Sequence, residues 1–178
     1  MKKLSIILLS LLIILASCRD EKPSSSVVSN DAAQDKAESP MVFNCVLNDM
    51  KFNADEAKAT VFRTNEQIDS IVISASQAGV TMKSFVYIFE GVGNYPFKNN
   101  DQNQGIARGE LLQTEDGKAK SFYSIDGAVY ISYFNLEKKI LSGTFESSYF
   151  YKGNEMPETF DAEEGSFNNL PITVILNE

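Results

Sequence analysis

The stretch Leu141-Ser142-Gly143-Thr144-Phe145-Glu146 alternates in side-chain character with a period of two. Its odd-numbered positions fall on one side of an extended chain, and its even-numbered, polar positions fall on the other. A surface helix would instead repeat its apolar positions every 3.6 residues. The stretch therefore predicts a β-strand with one buried and one solvated face.

The same period recurs along the chain, at 43–47 and at 71–75, while 84–89 and 128–134 are apolar on both faces, as central strands are. Turn-forming pairs separate these runs: Asn48-Asp49, Asp116-Gly117 and Asp126-Gly127, of which the last is predicted to be a tight hairpin turn. Short strands at this spacing predict an all-β domain, either an antiparallel β-sandwich or a barrel-like meander.

The amino terminus has the pattern of a bacterial lipoprotein signal. Met1-Lys2-Lys3 is positively charged, Leu4 to Leu15 is apolar apart from two serines, and Leu15-Ala16-Ser17-Cys18 resembles a lipobox. About 12 apolar residues are too few for a transmembrane helix, which needs roughly 20. We therefore expect a signal peptide at 1–17 and lipidation of Cys18. In such signals both the thiol and the new amino terminus are acylated, and several acyl chains together form a stable membrane anchor.

Residues 18–40 are rich in Ser, Asp, Glu, Lys and Ala and contain no aromatic residue, which predicts a disordered tether behind the lipidated cysteine. Arg19-Asp20-Glu21 resembles the surface-export signal of Bacteroidota lipoproteins, so we expect an outer-membrane protein that faces the cell exterior. The alternative is the periplasmic face of that membrane. Residues 41–178 are expected to form a single all-β domain.

The composition excludes several functional classes. The first 17 residues contain Lys2 and Lys3, so the mature chain has 14 basic and 24 acidic residues, a net charge of −10. This charge argues against nucleic acid as a partner, since phosphate binding depends on Lys and Arg. The chain has no histidine, which removes the common Ser-His and Cys-His catalytic pairs and most zinc sites.

No catalytic residue or cofactor is predicted, apart from the covalent lipid on Cys18. Cys45 alternates with Phe43 and Leu47 and is expected to be a small buried hydrophobe. Asp161 and Glu163 are the acidic residues best placed for a carboxylate pair, because alternation puts them on one face of a strand. A solvated loop and edge strand explains the same acidic stretch.

Two further patterns are candidate binding sites. If Asn99 is taken as the first position of a calcium loop, Asp101, Asn103 and Glu110 stand at its third, fifth and twelfth positions, although a turn-rich hairpin loop explains the same residues. The second candidate is an exposed aromatic patch for a ligand or partner at Tyr149, Phe150 and Tyr151. Its tyrosines belong to a larger set that could stack on a glycan, although the lack of Trp argues against this: Tyr123, Tyr130, Tyr133, Tyr149, Tyr151.

The order of motifs resembles a family of Bacteroidota lipoproteins that carry a domain of unknown function. The motifs are Phe43-Asn-Cys-Val-Leu-Asn48, Gly93-Asn-Tyr95, Ile140-Leu-Ser-Gly-Thr-Phe145 and Glu164-Gly-Ser-Phe167. The resemblance covers 41–176 and is most specific at the Ser-Gly-Thr-Phe strand. It implies an all-β lipoprotein domain and no established catalytic residue.

The expected function is that of a lipid-anchored binding or structural module, with a protein or a glycan as ligand. One alternative is a hydrolase that uses acidic residues, which would need two carboxylates converging in a pocket. Another is an inhibitor or immunity-type lipoprotein that offers an acidic face to a basic protein partner.

Overall fold

The computed structural model of the chain describes residues 40–97, 106–151 and 158–177. The signal peptide, Cys18 and nearly all of the tether lie outside these residues. The described residues contain ten strands and no helix. The strands are β1 (Val42–Leu47), β2 (Met50–Asn53), β3 (Glu56–Thr64), β4 (Gln67–Gln77), β5 (Val80–Val86), β6 (Gly93–Pro96), β7 (Ala107–Glu115), β8 (Lys118–Asn135), β9 (Ile140–Tyr151) and β10 (Glu158–Asn177).

The sheet closes on itself. Antiparallel pairs join β3, β4, β5, β7, β8, β9 and β10 in that order, and the end of β10 then pairs in parallel with β3. Seven strands thus form a closed circuit, with the β1–β2 hairpin added beside β10 and β6 added beside β8. The predicted all-β class is confirmed, and the pairing is barrel-like.

The two longest strands change partners along their length. β8 pairs with β7 up to Tyr123 and with β6 from Ala128, while β10 pairs with β1 up to Asn168 and with β3 from Ile172. Register shifts mark these regions, as β-bulges do where a strand bends. The predicted hairpin turn at Asp126-Gly127 is wrong, because both residues lie within β8 and pair with β9, directly after a bulge between Ser124 and Asp126. The positive φ of Gly127 does not reverse the strand.

The other two turns are confirmed. Asn48-Asp49 connects β1 to β2 and Asp116-Gly117 connects β7 to β8, and all four residues have positive φ. Two consecutive positive φ values are what a type I′ hairpin requires, which explains why Asn, Asp and Gly stand there.

Side chains fill the inside of the circuit. The large ones come mainly from β8, β9 and β10, and small residues such as Ala59, Ala75 and Ala107 lie on β3, β4 and β7. β1 and β2 add Phe43, Cys45 and Phe52 to the same core. Alternation of large and small residues is how a small closed sheet is packed. The residues available for ligand contact are therefore those that point outward.

Candidate functional site

A row of polar side chains crosses the outer face of six strands. Strand pairing places Asn94, Tyr130, Thr144, Ser166, Asn44 and Asn53 side by side on β6, β8, β9, β10, β1 and β2. Within this row the Ser166 hydroxyl donates a hydrogen bond to Oδ1 of Asn44 at 2.9 Å. The row offers amides and hydroxyls to solvent. Each of its four middle strands, β8, β9, β10 and β1, is paired on both sides there.

Carboxylates lie beside this row because β10 carries a bulge. The pairing of β10 with β9 shifts between Ala162 and Gly165, and Glu164 has a φ of 52°. The extra residue leaves Glu163 and Glu164 both exposed, where strict alternation would bury one of them. Glu146 on β9 is exposed on the same face.

A groove of about 420 Å³ follows these residues. We call it the outer groove and define it by Asn94, Tyr130, Thr144, Glu146, Glu164 and Ser166. Tyr130 is 45% exposed, so its ring is available to a ligand. Carboxylate, amide and hydroxyl oxygens accept hydrogen bonds, and the tyrosine ring offers an apolar face. This chemistry suits a ligand rich in hydroxyl groups or a ligand with a cationic group.

A smaller hollow of about 200 Å³ adjoins the outer groove through Glu146, which lines both. Asp161 and Glu163 line this hollow together with Asp126. Asp161 and Glu163 are exposed on either side of buried Ala162, so they share a face as alternation predicts. Within residues 40–97, 106–151 and 158–177, no three His, Cys, Asp or Glu side chains lie close enough together to hold a metal ion.

Comparison with known protein families, with curated proteins and with solved structures gives no match for this chain.

The calcium candidates are only partly covered by the structure. Asn99, Asp101 and Asn103 lie outside the described residues. Glu110 lies in β7, where Lys83 and Tyr123 are its cross-strand partners. A basic side chain directly opposite Glu110 is an unfavourable neighbour for a cation. The calcium loop stays a prediction.

The aromatic patch at Tyr149, Phe150 and Tyr151 is wrong as an exposed surface. Tyr149 is fully buried in the core, and burial raises the pKa of its hydroxyl. Tyr151 packs against the core on the same side, with its ring 5.3 Å from that of Phe122. Adjacent residues of a strand point to opposite faces, so three consecutive aromatic residues do not form one surface.

The sequence indicates Tyr130 only as one of several tyrosines and does not single out Glu146 or Glu164. Alternation in Leu141 to Glu146 does predict that Glu146 points outward, as it does. Its meeting with Glu164 depends on the pairing of β9 with β10 and on the bulge, which local sequence does not specify.

Proposed function

We propose that this protein is an outer-membrane lipoprotein, anchored through acyl chains on Cys18 and facing the cell exterior, whose all-β domain acts as a binding module. The lipobox at 15–18, the charged tether and the resemblance to Bacteroidota lipoproteins support the anchor and the location. The partners are then the membrane, through the lipid, and a ligand held by the domain.

The observation that carries the binding role is the outer groove. Tyr130 lines this groove together with Glu146 and Glu164, on strands that are paired on both sides. A ligand there is recognised by side chains, through hydrogen bonds to acceptors and packing against the ring. We infer a ligand that donates hydrogen bonds, either a hydroxyl-rich saccharide or a basic segment of a protein.

The anchor is tested with Cys18→Ser in the native host. The variant is expected to leave the membrane fraction or to keep its signal peptide, while the wild type partitions into detergent. Protease treatment of intact cells distinguishes the exterior from the periplasmic face, since only an exterior domain is degraded. Unchanged membrane partitioning of the variant contradicts lipidation at Cys18.

The ligand site is tested by titrating the full chain with cellotetraose and with an acetylated tetralysine amide. Tyr130→Ala and Glu146→Gln are expected to weaken binding of the recognised probe by about tenfold each, the loss of one good contact. Glu56→Gln is the matched control, because Glu56 is an exposed carboxylate on β3 away from the outer groove. Equal binding by all variants contradicts the site.

We also propose that the domain binds without catalysis. The double variant Asp161→Asn, Glu163→Gln is expected to remove no activity and to fold like the wild type, because both side chains are exposed. Hydrolysis of a polysaccharide by the wild type, lost in this double variant, would replace the binding role with that of a glycoside hydrolase.

A further inference from the structure

Arg108 is held between two aromatic rings on the outer face of β7. Its Cζ lies 5.0 Å from the ring centroid of Phe85 on β5 and 5.6 Å from that of Tyr123 on β8. The ring of Tyr87 stacks beside Phe85 at 6.3 Å. We call Phe85, Arg108 and Tyr123 the aromatic clamp. Contact with two rings restricts the guanidinium and lowers the entropy lost when the guanidinium binds a partner.

The charge of Arg108 is not balanced inside the described part of the chain. Its Nε is enclosed without a hydrogen-bond acceptor, and the ion pair found among the described residues joins Lys120 to Glu158 instead. Glu110 is the next outward residue on β7, where it lies opposite Lys83. The full chain has 24 acidic residues against 16 basic ones. With acidic residues in excess, it is unexpected that Arg108 has no carboxylate partner among the described residues.

A guanidinium that lies over aromatic rings can still donate hydrogen bonds along its edge. Since Nε is enclosed without an acceptor, the remaining donors are the two Nη groups. Two parallel N–H groups match the two oxygens of a carboxylate in a bidentate pair. We propose that the aromatic clamp binds the carboxylate of an acidic saccharide, with the sugar ring resting on the exposed parts of Tyr87 and Tyr123.

The surroundings favour a saccharide over a peptide. β5 is paired with β4 and β7, and β7 is paired with β5 and β8, so neither strand offers a free edge for main-chain pairing with a peptide. Tyr87 is 44% exposed and Tyr123 is 36% exposed, which leaves ring surface for the C–H face of a sugar. The net negative charge of the chain repels a dense polyanion, so the expected ligand carries isolated carboxylates.

This site is separate from the outer groove. The clamp lies on β5, β7 and the first half of β8, whereas the outer groove lies on the second half of β8 with β6, β9 and β10. The carboxylates of the outer groove repel an anion, and Arg108 attracts one. The two sites thus select ligands of opposite charge. The proposal for one site can be contradicted without affecting the proposal for the other.

The test is saturation-transfer NMR on the full chain in detergent micelles. The probes are methyl β-glucuronide and methyl β-glucoside, which differ at the carboxylate alone. A single-residue ligand of this size is expected to bind with a dissociation constant on the order of a millimolar. The glucoside is expected to bind at least about tenfold more weakly, because it lacks the charged pair.

Arg108→Gln is expected to remove the preference for the glucuronide, and Arg108→Lys to keep only part of it, because lysine cannot form the planar pair. Arg63→Gln is the matched control, since Arg63 also has an enclosed Nε without an acceptor but has no ring stacked on it among the described residues. It should bind like the wild type. Circular dichroism confirms that each variant is folded.

Three results would overturn the proposal. The first is equal binding of glucuronide and glucoside, or no binding of either. The second is a glucuronide preference that survives Arg108→Gln or is lost in Arg63→Gln. The third is tighter binding of acetylated alanyl-glutamate than of the glucuronide, which would assign the clamp to a peptide partner.

Discussion

The sulfur atoms at the centre of the core show how burial changes the chemistry of a single residue. Cys45 is 5% exposed, and its Sγ donates a weak hydrogen bond to Sδ of Met82 at 3.8 Å. Burial raises the pKa of the Cys45 thiol to about 11. The thiolate is the reactive form of cysteine, so this thiol is unreactive near neutral pH.

We therefore expect Cys45 to resist labelling by a thiol reagent in the folded protein at pH 8 and to react at once in denaturant. The measurement is the rate of reaction with a chromogenic disulfide. The Cys45→Ala variant gives the background. Native labelling as fast as that of a free thiol would place Cys45 on the surface and contradict the burial of this face of β1.

The same raised pKa predicts a loss of stability at alkaline pH. Between the ordinary thiol pKa of 9.0 and the folded value of about 11, the unfolded chain loses the proton and the folded chain keeps it. The free energy of unfolding should therefore fall, by on the order of 1–2 kcal/mol between pH 8 and pH 10.5 from this group. Denaturant titrations measure it as the difference between wild type and Cys45→Ala. A difference that stays constant with pH contradicts the shift.

At the scale of one element, β9 shows why the Ser-Gly-Thr-Phe stretch contains glycine. β9 is paired on both sides, with β8 and with β10. Gly143 lies between Ile131 and Phe167 in these pairs, and a Cβ at this position would overlap the carbonyl oxygen of Tyr130 and the ring of Phe167. The missing side chain makes room for Phe167, which is fully buried.

Gly143→Ala is expected to lower the free energy of unfolding by about 1–3 kcal/mol, the usual effect of overpacking a core. Gly93→Ala in β6 is the control, because no atom lies within 4 Å of the added Cβ there. The control should change stability by less than about 0.5 kcal/mol. Equal effects of the two substitutions would mean that the contact of Phe167 with Gly143 does not limit packing.

At the scale of the whole molecule, the last strand segment closes the sheet. Residues 172–177 of β10 pair in parallel with β3, and the buried side chain of Ile172 lies beside Ala59 in this register. Ile175 pairs with Phe62 in the same segment but is 42% exposed. Truncating each isoleucine in turn therefore distinguishes the stability contributed by buried packing from that contributed by the exposed side of this segment.

Ile172→Ala is expected to cost about 2–5 kcal/mol in unfolding free energy, as truncation of a buried isoleucine does. Ile175→Ala should cost less than about 1 kcal/mol, because its side chain remains largely in water. Thermal and denaturant unfolding measure both. A small loss in Ile172→Ala would show that the core remains packed without the closing segment.

The sequence predicts much of the local structure and little of the candidate sites. Alternation at 143–146 and the turns at Asn48-Asp49 and Asp116-Gly117 are correct, because periodicity and turn chemistry act between neighbours in sequence. Ser142, which alternation places on the solvated face, is instead fully buried, where its hydroxyl accepts a hydrogen bond from the Asn169 N–H. The hairpin predicted at Asp126-Gly127 is wrong, since the same residue pair also suits the region of a bulge. Glu146 and Glu164 come from different strands, as do Arg108 and Tyr123, and nothing near them in sequence indicates that they meet.

The amino-acid sequence is enough to predict the all-β class, the separation of an apolar interior from a polar exterior, and a lipid anchor at Cys18. These properties depend on residue type and on a period of two, which each strand carries alone. The tertiary structure alone decided that β10 closes onto β3, that Glu164 joins Glu146 in the outer groove, and that two rings hold Arg108. The reason is that strand partners and bulge positions depend on contacts between residues far apart in the chain, which local propensity does not encode.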